Sequence, residues 1–164
     1  MAKDDLVNAG SKYLSKVVFE NYTPFRGSNE AALNDGELGE PSNNAGIAFD
    51  LDGEWLTTFF LDTTKSPKGY DLSSIITTAG WPPNRACQSY ELFVATVSAP
   101  TTFVSVGTFS ADAVGEKASQ IKLTAKKDVI AANVAAVRFK FMVPEKKGSE
   151  TAYREVDIIG KPSK

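Results

Sequence analysis

The sequence predicts an all-β protein, an antiparallel β-sandwich of the jelly-roll kind, and three observations carry that prediction. Val, Ile and Thr together number 33 of the 164 residues, against ten Leu and two Met. β-branched side chains suit a pleated, half-buried surface, whereas Leu and Met suit helices. Twelve Gly and eight Pro supply turn-formers at a density that fits many short strands. Several stretches alternate apolar and polar residues at period two, while the nineteen alanines are scattered and build no helical stripe. A chain of this length is one domain's worth, so residues 1–164 read as a single domain with its core between about 6 and 160.

The elements follow in order. Tyr13 to Phe19 reads as a first strand after a polar lead-in. Asn21 to Asn44 is a long irregular stretch punctuated by Pro24, Gly27, Asn34-Asp35-Gly36 and Pro41, and a loop of that length inside a compact domain is usually functional. Within it, Asn29 to Leu33 fits a short helical turn. Asp52-Gly53 separates Ile47–Leu51 from Glu54–Leu61, the pattern of a hairpin. Tyr70 to Thr78 is the next strand, and Gly80-Trp81-Pro82-Pro83-Asn84-Arg85 a stiffened loop. Gln88 to Val97 places Tyr90, Leu92 and Val94 on one face and Glu91, Phe93 and Ala95 on the other. Pro100 turns the chain into Phe103–Phe109. A polar excursion from Ser110 to Ser119 precedes Gln120–Thr124. Asp128 to Val134 reads as a connection holding a helical turn. Ala135 to Val143 then points Val137, Phe139, Phe141 and Val143 inward, with Arg138 and Lys140 outward. Arg154 to Ile159 closes a set of eight or nine strands.

Composition removes whole classes of function. The chain has no histidine, so Ser-His-Asp and Cys-His catalysis, histidine-based metal sites and imidazole pH switches are all excluded. The lone Cys87 allows neither an intrachain disulfide nor a CxxC motif, and reads as a small buried residue. A net charge of −2 and a pI near 5.2 lack the basic stripe that nucleic acid needs. The longest mainly apolar run, 129–143, is interrupted by Asn133, Arg138 and Lys140 and falls short of the roughly 20 residues of a membrane span. Met1-Ala2-Lys3-Asp4-Asp5 carries charge and no apolar stretch, unlike a signal peptide. Two compartments therefore stay open, the cytosol and, for a mature or trimmed piece, the cell exterior. No carboxylate pair sits in a constrained motif, and there is no nucleophile elbow or Gly-rich phosphate loop, so no catalytic residue is expected.

From Gly69 onward the residues resemble a known family. Gly69-Tyr70-Asp71-Leu72-Ser73-Ser74-Ile75, then Gly80-Trp81 and Arg85, then Gln88-Ser89-Tyr90-Glu91-Leu92, resemble the middle of a discoidin, or coagulation-factor type C, domain. Leu33-Asn34-Asp35-Gly36-Glu37 resembles the family's early Asp-Gly loop. Val134 to Phe139 resembles its penultimate core strand, and Tyr153 to Gly160 its closing strand with a glutamate. These pieces fall in the family's order across roughly residues 6–160. The resemblance implies the galactose-binding-like sandwich shared with many carbohydrate-binding modules, most similar to bacterial versions in secreted or surface proteins.

What the resemblance implies about the site is specific. It makes the partner a glycan or cell-surface polysaccharide, alongside other domains of a parent protein, with no nucleic acid and no membrane. A sugar site needs an aromatic face for the apolar side of a pyranose and a few fixed donors for its hydroxyls. Trp81, Asn84 and Arg85 supply that set; the alternative, which the family's Gly-Trp junction favours, is that Trp81 plugs the space beneath its loop and Arg85 pairs with a carboxylate. Tyr22, Phe25 and Arg26 lie in the long first loop, where the family builds further ligand contacts or simply packs the loop. Asp35 and Glu155, with Asn34 or Glu37 as an added donor, match the family's structural calcium, an ion that takes six to eight oxygens. Arg154 reads as a cross-strand ion-pair partner and Trp55 as core. Three departures stand out: no histidine of the kind galactose-selective members use, no basic apolar spikes of the lipid-binding members, and no terminal disulfide. The expected function is a noncatalytic carbohydrate-binding module. The alternative is a structural or protein-interaction module of a surface or particle assembly, because one fold hosts many functions.

Overall fold

A computed structural model describes residues 4–38, 48, 54–80, 85–112, 118–145 and 151–164. Eight strands make up most of these: β1 (Leu14–Glu20), β2 (Trp55–Leu61), β3 (Tyr70–Ala79), β4 (Gln88–Thr96), β5 (Ala99–Ala111), β6 (Ser119–Thr124), β7 (Ala131–Phe141) and β8 (Tyr153–Pro162). One 3-10 turn, Glu30–Leu33, sits where the short helical turn was expected, with Asn29 as its cap accepting from the N–H of Ala31 at 3.1 Å.

Every pairing is antiparallel. One layer runs β1-β2-β7-β4-β5, and the other is β3 flanked by β6 and β8. The layers join where Tyr70 and Leu72 of β3 pair with Val134 and Ala131 of β7. The sheet thereby curls until its halves face each other, which is the predicted antiparallel sandwich.

Between the halves lies an aromatic core. Trp55, Phe59, Tyr90, Phe139, Phe141 and Tyr153 are all buried. Tyr153 of β8 meets Phe141 of β7 at 4.2 Å between centroids and Trp55 of β2 at 5.8 Å, so rings from one layer interlock with rings from the other. Each such side chain buries about 150–250 Å². Trp55 also donates its indole N–H to Thr57 Oγ1 at 3.0 Å, satisfying the one polar atom it carries inward. The alternation expected along β4 and most of β7 holds: Tyr90, Leu92, Val137, Phe139 and Phe141 are buried, while Arg138 and Lys140 face out.

Three expectations are corrected. Asp128 to Val134 holds no helical turn; β7 already starts at Ala131, because the chain must pair there with β3 to close the curl. Val143 lies beyond the end of β7 and is 38% exposed rather than inward. The hairpin across Asp52-Gly53 is also revised. β2 has both edges occupied, by β1 and β7, and Ala48 instead exchanges two backbone hydrogen bonds with Tyr153 of β8. Asp52 and Gly53 themselves lie outside the described residues.

Candidate functional site

One end of the sandwich gathers the candidate ligand residues, because β1 ends there, β3 ends there, and β4 and β8 begin there. Asn21 leaves β1 with a left-handed φ of 58°, which turns the chain sharply off the strand. Tyr22 then lies back on the core, 5.5 Å from the ring of Phe19 and 5.4 Å from that of Trp55, with its hydroxyl 3.4 Å from Ser28 Oγ. Tyr22 therefore works as the loop's anchor. Phe25 to Ser28 closes a β-turn through Ser28 N–H to Phe25 O at 2.8 Å. Gly27, at φ 73°, occupies the left-handed position that such a turn assigns to glycine. Arg26 stands exposed at the tip.

Arg85 reaches this turn from the other side. Its guanidinium carbon lies 5.8 Å from the centroid of Phe25, within cation–π range, and both residues are half-exposed. The stem beneath Arg85 is held firmly: Ala152 N–H donates to Arg85 O at 3.1 Å, Thr151 Oγ1 to Cys87 O at 2.6 Å, and Ser119 Oγ to Ala86 O. Gly80 N–H donates to Ala152 O at 2.9 Å, so both arms of the 80–87 loop hang on the approach to β8. Phe25 and Arg85 thus bring an aromatic ring and a guanidinium together, with Arg85 on a fixed base. Such a pair can stack on the C–H face of a sugar ring and donate to its hydroxyls. Trp81 and Asn84 lie outside the described residues.

The carboxylates gather nearer the N-terminal segment. Gly36 N–H donates to Glu155 Oε2 at 3.1 Å, so the early Asp-Gly turn does meet the glutamate of the closing strand. Asp35 is half-exposed, and its Oδ1 accepts from Glu37 N–H at 2.8 Å. Asn34 is buried with its amide donating to Val7 O at 2.7 Å. Glu155 is 3% exposed. Burial, joined by the negative charges of Asp157 and Asp35, pushes its carboxyl up to about 9. Burial likewise raises Asp5 and Asp157 above the usual carboxylate range.

Sequence reasoning missed Asp5 and Asp157. Oxygens of Asp5, Glu155 and Asp157, one from each, lie within 4.8 Å of one another. The available signal was the i, i+2 spacing of Glu155 and Asp157, which puts both on one face of a strand. Nothing in the sequence linked Asp5 to them. Arg154, expected in a cross-strand ion pair, is buried. Separately, Arg138 pairs with Glu20 at 3.4 Å and lies 3.9 Å from the Phe103 centroid.

No family model matches the sequence, and no curated protein matches it. Solved structures match the fold. An F5/8 type C domain from Bacteroides fragilis superposes with a TM-score of 0.60 at 14% identity, over 99% of this chain and all of that one. CpGH89CBM32-5 from Clostridium perfringens, solved in complex with GalNAc-β-1,3-galactose, gives 0.56 at 15% identity over 88% and 94% of the two chains. The family 32 carbohydrate-binding module of AlyQ, solved with 4,5-unsaturated mannuronic acid, gives 0.57 at 12% identity over 89% and 95%. The fold is that of the discoidin-like, galactose-binding-like sandwiches, carbohydrate-binding modules among them.

Proposed function

We propose that this chain is a noncatalytic carbohydrate-binding module whose ligand surface is the loop end carrying Phe25, Arg26 and Arg85, with Trp81 and Asn84 in the same loop as Arg85. The placement of the Arg85 guanidinium against the Phe25 ring carries the reading. Two residues 60 positions apart form one half-exposed stacking surface, and the stem under Arg85 is clamped by backbone hydrogen bonds. Rigid aromatic and guanidinium surfaces lose little conformational freedom on binding, which matters for a ligand as weakly held as a single sugar. The fold shared with carbohydrate-binding modules supports the same class of ligand. The module would act outside the cell, holding a parent protein on a glycan or cell-surface polysaccharide, with multivalency supplying the avidity. Titration calorimetry against a panel of neutral and uronic oligosaccharides tests this. Saturable binding that Phe25→Ala and Arg85→Ala both weaken supports the reading, and silence across the panel overturns it.

A further inference from the structure

The end of the sandwich opposite the ligand loops carries a hollow of its own, where β1 and β7 begin and β2 and β4 end. Phe59 and Leu61 are buried in the core, so Phe60 between them faces away from it. The pairing of β1 with β2 shifts by one residue between Leu14 and Lys16, which makes Ser15 a bulge. Without that bulge, alternation from Leu14, which packs on the core, would turn Lys16 inward. With it, Lys16 stands opposite Phe60, and Phe60 opposite Ala136 of β7. The row steps from a large ring down to a methyl group, and a cavity of about 570 Å³ opens there, with Ala135 and Ala136 in its lining. Pro67 and Pro100 stand at its sides. Gly69 N–H donates to Ser66 O at 2.8 Å, closing the turn that carries Pro67, and Val97 N–H donates to Asn133 O at 2.9 Å, tying down the approach to Pro100.

We propose that this cavity is a second saccharide site, specific for a sugar that carries a carboxylate, that is, a uronic acid residue. Lys16 decides the charge of the ligand. Its Nζ stands 4.8 Å from the centroid of Phe60, and among the described residues it pairs with no carboxylate. No carboxylate of the described residues lines the cavity either. In a chain of net charge −2 this leaves one unneutralised cation facing an enclosed space, the setting in which a charge-assisted bond to a carboxylate is strong. The remaining polar side chains of the lining are the hydroxyls of Ser15, Thr63 and Thr101. Each can donate and accept, as the hydroxyls of a sugar ring require. Phe60 supplies the aromatic face for the C–H side of a pyranose. The volume also falls in the range of about 300–1,000 Å³ that small-ligand sites occupy. This site is built from other strand ends than the one at Phe25 and Arg85, and either can bind without the other.

Amide chemical-shift mapping with trigalacturonate and trimannuronate, and with methyl-esterified trigalacturonate and acetate as comparisons, tests this. The expected result is saturable shifts at Phe60, Thr63, Thr101 and Ala136 with at least one of the two uronates, and none with the ester or acetate. Lys16→Gln should lower the affinity about tenfold or more, because the charge is lost while the side chain's exposed position leaves the core undisturbed. Phe60→Leu, which keeps an apolar side chain on the sheet but no ring, should weaken binding as well. Equal shifts with the ester would show that charge is not read, and equal shifts with acetate that the sugar is not; either overturns the proposal. Unchanged affinity in Lys16→Gln overturns it too, as does the absence of saturable shifts up to about 10 mM, tenfold above a millimolar dissociation constant. Shifts confined to Phe25 through Ser28 and Arg85 overturn it while supporting the loop-end site. Shifts confined to the cavity support it and count against the loop-end site instead.

Discussion

The backbone N–H of Gly36 donates to Oε2 of Glu155 at 3.1 Å, joining a surface turn to the closing strand across 119 positions of sequence. This bond holds only one oxygen of a carboxylate that is otherwise buried, and the consequence is a pH dependence. The folded state keeps the Glu155 proton up to about 9, against 4.5 for the free group. Its stabilising contribution is therefore complete below about pH 4.5 and lost as pH rises through about 9, since the unfolded chain releases the proton first. Asp5 and Asp157 are shifted in the same direction. In chelator, the melting midpoint should fall between about pH 6 and pH 9. Glu155→Gln, which mimics the protonated acid and can still accept from Gly36, should flatten that fall. Parallel slopes for the two proteins would refute the assignment.

Phe25 and Arg85 should matter for ligand and not for folding, because both are half-exposed. Each alanine variant is expected to lower affinity for a recognised oligosaccharide about tenfold, roughly 1.4 kcal/mol. Their melting midpoints should stay within a degree or two of the parent. A double variant that loses no more than either single one would show that the pair acts as one surface.

Trp55 carries the opposite expectation. Its ring meets Tyr22, Phe141 and Tyr153, and its indole N–H is bonded to Thr57. Trp55→Ala should cost about 3–5 kcal/mol in denaturant unfolding. Because Tyr22 rests on Trp55, the same variant should also loosen the first loop, read as faster amide exchange around Phe25.

Gly69 turns the chain into β3 with φ of 80°, and a Cβ there would stand 2.6 Å from the carbonyl carbon of Asn133. The contact is with backbone, so no side chain can move aside. Gly69→Ala combines left-handed strain with that overlap and should destabilise by at least about 1–3 kcal/mol. Gly10→Ala provides the control: at φ of 87° it meets nothing within 4 Å and should cost about 1 kcal/mol.

Much of this architecture was legible in the order of residues. Alternation exposed β4 and most of β7 and their inward aromatic faces, since a strand's two faces are separated by a period of two whatever the strand pairs with. Tyr13 to Phe19, Asn29 to Leu33 and Arg154 to Ile159 likewise declared a strand, a short turn and a strand through local propensity and capping. What the sequence by itself determined was thus the kind of elements, their faces, and the chemistry excluded by having no histidine and one cysteine. The tertiary structure alone decided partners. It set Ala48 against Tyr153 instead of β2, drew Asp5 to Ile158 across 153 positions, and laid Arg85 against Phe25. Pairing over such distances depends on which edges remain open once the sheet curls. That is a property of the assembled chain, and no local window of residues contains it.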